Sequence, residues 1–111
     1  MTMELWEEIA ETERQLDQAL ATFRENGLNY CEMERLYQME KSKTIFKLTS
    51  EGVPTTLIPH VIKGMDGVAD YYYERNKADV VYRANMEAIN VKKKELDVLK
   101  AQYEREYSKN E

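Results

Sequence analysis

Four carboxylates near the start of the chain, Glu4, Glu7, Glu8 and Glu11, stand three or four residues apart, and on a helix that spacing puts them on one face. Helical bundles that hold two metal ions use such a spacing, but they also take histidines from Glu-x-x-His pairs on facing helices. The chain has one histidine, His60, and no glutamate three residues before it. A solvated acidic face is the reading that remains, and no metal site is expected. Cys31 is also single; disulfide or thiolate-metal chemistry needs companions, so Cys31 reads as a small, partly buried helix residue. His60 could donate to a ligand, while its place between Pro59 and Val61 also suits a local structural role. No Ser-His-Asp set, glycine-rich phosphate loop or Cys-His pair can be assembled. No catalytic residue and no cofactor is expected.

What the residues offer instead is contact surface. Lys41, Lys43, Lys47 and Lys63 with His60 form a basic group, and Tyr37 and Phe46 stand near enough in sequence to offer stacking surfaces to single-stranded bases. The alternative is an ordinary solvated helix face. Lys92-Lys93-Lys94 wraps most of a helix circumference and cannot form one stripe. Tyr71-Tyr72-Tyr73 is more informative, because consecutive helical residues are turned by about 100° and three rings cannot enter one seam. Tyrosine supplies large, rigid contact area with a polar end. The expected partner-binding residues are therefore Tyr71, Tyr72, Tyr73, His60 and Lys63, with packing under residues 55–63 as the competing role of the rings.

Both prolines, Pro54 and Pro59, and three of the four glycines, Gly52, Gly64 and Gly67, fall between residues 52 and 67. On either side lie long stretches of good helix formers. The expected organisation is one helical domain over residues 1–111: an arm at 3–51, a tip at 52–66 and a second arm at 67–108. In the first arm Ile9, Leu16, Phe23, Tyr30 and Tyr37 recur every seven residues, flanked by Leu5, Leu20, Met33 and Leu36. In the second, Val68, Tyr82, Ile89, Leu96 and Tyr103 share that period, Arg75 interrupts it, and Tyr72, Met86 and Leu99 widen the stripe. Matching seams predict an all-α fold, an antiparallel, coiled-coil-like hairpin of two long helices, elongated in shape.

Gly27 is the weak point of the first arm, and the seven-residue phase through it predicts a continuous or kinked helix. Gly52 is expected to end that arm in a left-handed conformation. Thr55 or Thr56 is expected to start a short capping helix with Pro59 in its first turn, Gly64 to end it and Asp66 to cap the second arm. Leu57, Ile58, Val61 and Ile62 are spaced to form an apolar plug. A turn near residue 58 would set Glu4 to Asp17 beside Lys100 to Lys109, and Lys92-Lys93-Lys94 toward Phe23-Arg24-Glu25. Two helices leave much apolar surface exposed, so a second copy in a symmetric dimer is expected to cover part of it.

The net charge of -5 is uneven: residues 1–34 carry -7, residues 35–63 carry +3, and the remainder -1. An acidic whole argues against nonspecific duplex binding and leaves protein partners open. The acidic opening Met1-Thr2-Met3-Glu4 is unlike a secretory leader, and apolar runs reach only two or three residues, as at Val80-Val81-Tyr82, too short for a membrane span. A reducing bacterial cytoplasm is the expected compartment.

Glu51-Gly52-Val53-Pro54-Thr55, Leu57-Ile58, Gly64, Val68-Ala69, Tyr82-Arg83-Ala84 and Glu87-Ala88-Ile89-Asn90 together resemble a small helical accessory protein of tailed phages and prophages of Gram-positive bacteria. The resemblance covers residues 51–102, with the first arm following by pattern only. It implies an early accessory factor, either near replication and recombination functions or acting against host defence by occupying a surface on a larger enzyme, as anti-CRISPR proteins do. A CRISPR effector or another host or phage protein is then the implied partner. The rival expectations are a single-strand nucleic-acid accessory using Lys41, Lys43, Lys47 and Lys63, and a purely structural oligomerisation scaffold.

Overall fold

The computed structural model describes residues 4–108, so Met3 at the start of the expected first arm, and Lys109, lie outside it. Its elements are α1 (Leu5–Ser50), α2 (Ile58–Val61), a 3-10 turn (Ile62–Gly64) and α3 (Asp66–Ser108), with no strand among the described residues. The long helices α1 and α3 pack against each other within each of two contact units. One unit is Asn26–Tyr82; the other takes the residues up to Glu25 and those from Arg83 onward.

The central unit, Asn26–Tyr82, contains the turn. α1 runs unbroken through Gly27, as the phase of its apolar residues predicts. It ends at Gly52, whose φ of 84° is the left-handed value that glycine adopts without a Cβ penalty. Gly52 N–H donates to the Thr49 carbonyl and Val53 N–H to the Leu48 carbonyl, both at 3.1 Å. This pair of reversed bonds is a Schellman motif, and it brings Val53 against Leu48 in the buried cluster Leu48, Ile58, Ile62 and Val68, which Tyr37 and Met65 also touch.

The tip departs from expectation in three details. Neither Thr55 nor Thr56 caps α2; the N-cap is Leu57, with no side-chain bond, because Leu57 and Ile58 N–H already donate to the Pro54 carbonyl. Asp66 is the first residue of α3 and Met65 precedes it, its carbonyl accepting from Ala69 N–H at 2.8 Å; Asp66 still serves the helix as an acid in the first turn. The apolar plug is half the expected size. Ile58 and Ile62, four residues apart, face the core, whereas Leu57 and Val61 on the neighbouring face are 51% and 43% exposed.

The tip also sets the register. Ile58 and Ile62 of the tip pack with Leu48 of α1 and Val68 of α3 in one cluster, and the Glu40 carboxylate lies against Gly67. Tyr37 then meets Tyr72, Glu34 meets Arg75 and Tyr30 meets Tyr82, an antiparallel sequence. In the terminal unit Asn85 Nδ2 donates to the Ala19 carbonyl at 3.1 Å and Lys100 pairs with Glu13 at 3.6 Å, the latter within the expected acidic-to-basic alignment. Lys92-Lys93-Lys94 does not lie toward Phe23-Arg24-Glu25 as a turn at residue 58 would require. Lys94 instead shares a groove with Glu8, Glu11 and Thr12.

The seams are occupied as expected at Ile9, Leu16, Phe23, Tyr30 and Tyr37, all half-buried, and at Val68 and Ile89, which are buried. Leu20, Tyr72 and Met86 are 43%, 50% and 39% exposed and lie at the margin. The positions that replace them are small or polar: Thr12, Thr44 and Ala78 are buried, and Ala19, Asn26 and Asn85 half-buried. Cys31, expected to be partly buried, is exposed.

Candidate functional site

A cleft of about 300 Å³ in the central unit is lined by Tyr37 and Lys41 of α1, by Pro59, Ile62 and Lys63 of the tip, and by Val68 and Tyr72 of α3. The tip creates it: the Schellman turn drops residues 58–64 onto α1, so that Ile62 and Val68 form an apolar floor continuous with the core. The rings stand over that floor at 5.5 Å between centroids and 58° to each other, a tilted arrangement favoured by the ring quadrupoles.

Two cations lie over the rings, and a third, Lys63, lines the cleft beside them. Lys41 Nζ lies 5.8 Å from the Tyr37 centroid, and the Arg75 guanidinium lies 5.4 Å from Tyr37 and 6.0 Å from Tyr72, distances at which a cation is attracted to the ring face. Arg75 is neutralised by Glu34, its Nε donating at 2.5 Å. That bond, with a second from Gln38, holds the Glu34 carboxyl below its ordinary value and raises the already high Arg75 value. Lys63 is exposed and makes no ion pair among the described residues. The cleft is thus apolar at its floor, aromatic on two walls and cationic at its rim.

The expected partner-binding residues separate. Tyr72 and Lys63 line the cleft. Tyr71 lines a different groove with Leu36, Met39 and Lys43, Tyr73 is 64% exposed with Lys77 Nζ 5.7 Å from its ring, and His60 is exposed on α2. The triplet is turned three ways, as 100° per residue demands. The expected basic group divides too: Lys41 and Lys63 belong to the cleft, while Lys43 and Lys47 line a separate groove beside Gly64 and Asp66. Phe46, 76% exposed, stands apart from both. Tyr37, expected both in the seam and as a stacking surface beside the basic group, is a cleft wall, whereas Phe46, its expected companion, is not; sequence reasoning missed Arg75, which it read only as an interruption, and a cation at a seam position beside aromatic seam positions was the available signal.

Among the described residues no three His, Cys, Asp or Glu side chains gather as a metal ion would require, and no helix is long and apolar enough to cross a membrane. No protein-family model, curated protein or solved structure matches the chain.

Proposed function

We propose that the chain is a non-enzymatic protein-binding factor that engages its partner through the tip cleft. The carrying observation is the convergence of Tyr37, Tyr72, Lys41 and Lys63 around an apolar floor. Hot spots at protein interfaces are well-packed pockets rich in tyrosine, and a cleft with an apolar floor, tyrosine walls and a lysine rim suits an aromatic or aliphatic anchor flanked by a carboxylate. The resemblance to phage accessory proteins supports the specific version, in which the partner is a host defence nuclease of the CRISPR-effector type and occupation of its surface inhibits it. The test is capture of a purified effector, or of lysate proteins, on the immobilised chain. Tyr72→Ala and Lys63→Ala should each weaken retention of one defined protein while Lys47→Ala does not; equal retention by all three variants would remove the cleft from the function.

A second reading rests on the same walls, since two tyrosines between two lysines also fit an unpaired base and its phosphate. Its mark is salt: binding to a single-stranded oligonucleotide should fall steeply as salt rises. No binding at low salt eliminates it.

A further inference from the structure

The terminal unit carries an open groove of about 620 Å³ whose floor is Thr12 of α1 and Leu99 of α3 and whose α3 edge is Val91, Lys94, Glu95 and Val98. The two valines are 51% and 64% exposed, and Lys94 and Glu95 are exposed between them. With 100° of turn per residue these four side chains share one face within roughly a quarter to a third of the circumference. Lys94 makes no ion pair among the described residues. Glu95 is bonded to Lys92 through Oε2 alone at 3.2 Å, and Glu11 on the opposite rim is already held by Arg14 and Gln15.

The order of these residues is self-complementary. We infer that the groove is the dimer interface of the chain, occupied by α3 of a second copy lying antiparallel about a two-fold axis that passes between Lys94 and Glu95. That axis sets Val91 against Val98 of the second copy and Val98 against its Val91. Lys94 meets Glu95 of the second copy, and Glu95 meets its Lys94. An isologous interface requires each contact to occur twice with roles exchanged, and this face meets the condition for its apolar and its charged positions together. A parallel pairing in register would instead bring Lys94 onto Lys94 and Glu95 onto Glu95. Thr12 and Leu99 supply the surface against which the valines of the second copy close, so α1 and α3 of both chains contribute.

Sedimentation velocity on the full chain over a concentration series tests this. The wild type should sediment as a dimer. Lys94→Glu and Glu95→Lys should each weaken dimerisation by about tenfold or more, since each places like charges across the axis, with helicity by circular dichroism unchanged. The double variant K94E/E95K should restore the dimer, because it reverses both charges and keeps them complementary. In a Cys31→Ser background, V91C and V98C chains should form disulfides when mixed and far less when separate, because two copies of residue 91 would stand about 10 Å apart along the axis. A wild type that stays monomeric at about 100 µM, single swaps without effect, a double swap that fails to restore association, or V91C chains that cross-link to themselves as readily as to V98C would each overturn the assignment.

Discussion

Arg75 on α3 donates through Nε to Glu34 on α1 at 2.5 Å, and the same guanidinium lies over the rings of Tyr37 and Tyr72. A cation at a seam position is costly to bury alone, so its place is defined by what can receive it: one carboxylate and two ring faces. Both partners keep about three-tenths of their side-chain surface in water, which limits desolvation and leaves a bond that selects register more than it adds stability. The pair sits beside the cleft, so the same contact that aligns the helices also orients its two aromatic walls.

Arg75→Met keeps the stem and removes the charge. It should destabilise the chain by about 1 kcal/mol, within the range for partly exposed charged bonds, and a double-mutant cycle with Glu34→Gln should show coupling of similar size. Because the Glu34 carboxyl is held below its ordinary value by the Arg75 bond, its contribution is complete above the ordinary carboxylate value and is lost as pH falls through the lowered one. Urea unfolding should therefore show the difference between wild type and E34Q shrinking as pH is lowered through the acid range, and unchanged between neutral pH and about 5.

Gly52 tests the turn itself. A Cβ there would meet nothing within 4 Å, but the backbone holds φ at 84°, so Gly52→Ala should cost about 1 kcal/mol through conformation alone. Gly52→Asn should cost less, since asparagine tolerates the left-handed region. Equal stability of all three chains by thermal unfolding would contradict the Schellman geometry.

How much of this was legible depends on the kind of residue. Ile9, Leu16, Phe23, Tyr30 and Tyr37 announce a seam because apolar side chains at a seven-residue spacing have few other uses, and Gly52 marks an end because its left-handed φ suits few other residues. Thr12, Ala19, Thr44, Ala78 and Asn85 complete the packing surface yet carry no apolar signal; they are inside because two helices approach closely there, and Asn85 because its amide reaches the Ala19 carbonyl. The register was misplaced for a related reason. Counting from residue 58 sets the fold-back too late, since Glu34–Arg75 and Tyr37–Tyr72 pair about a centre between Pro54 and Thr55, a tertiary fact. At the site, the grouping of Lys41 and Lys63 with Tyr37 was legible from their types and nearness in sequence, whereas the addition of Tyr72 and the loss of Lys43, Lys47 and Phe46 follow from how α3 lies on α1.

Gly27 has a packing role inside an otherwise regular helix. A Cβ built there would stand 3.2 Å from Cε2 of Tyr82, whose ring stacks on Tyr30 at 6.2 Å and 18°. Gly27→Ala gains about 1 kcal/mol of helix propensity and presses on a ring that can give by a few tenths of an ångström, so its net effect should stay within about 0.5 kcal/mol. Gly27→Leu cannot be accommodated in this way and should cost about 1–3 kcal/mol. The measurement is chemical denaturation of both variants; a neutral leucine would show that the ring does not lie against this turn.

Glu11 separates local from global electrostatics. Arg14 donates to both of its carboxylate oxygens and Gln15 adds a third bond; chiefly through the Arg14 bond, the carboxyl falls from an ordinary 4.5 to about 2. A folded-state value below the unfolded one means that any stabilisation is complete above pH 4.5 and disappears as pH drops from 4.5 to about 2. The bond is exposed and spans three residues of one helix, so its loss should loosen the first turns of α1 without unfolding the chain. Carboxyl-detected NMR should place the Glu11 midpoint near 2, and Arg14→Gln should return it toward 4.5. Amide exchange near Glu11, relative to the intrinsic rate, should already be quickened in R14Q at neutral pH and should quicken in the wild type only as pH falls toward about 2, while protection around Leu48 and Ile58, in the core of the other unit, stays the same in both chains. A midpoint near 4.5 in the wild type would mean that the Arg14 bridge does not persist in solution.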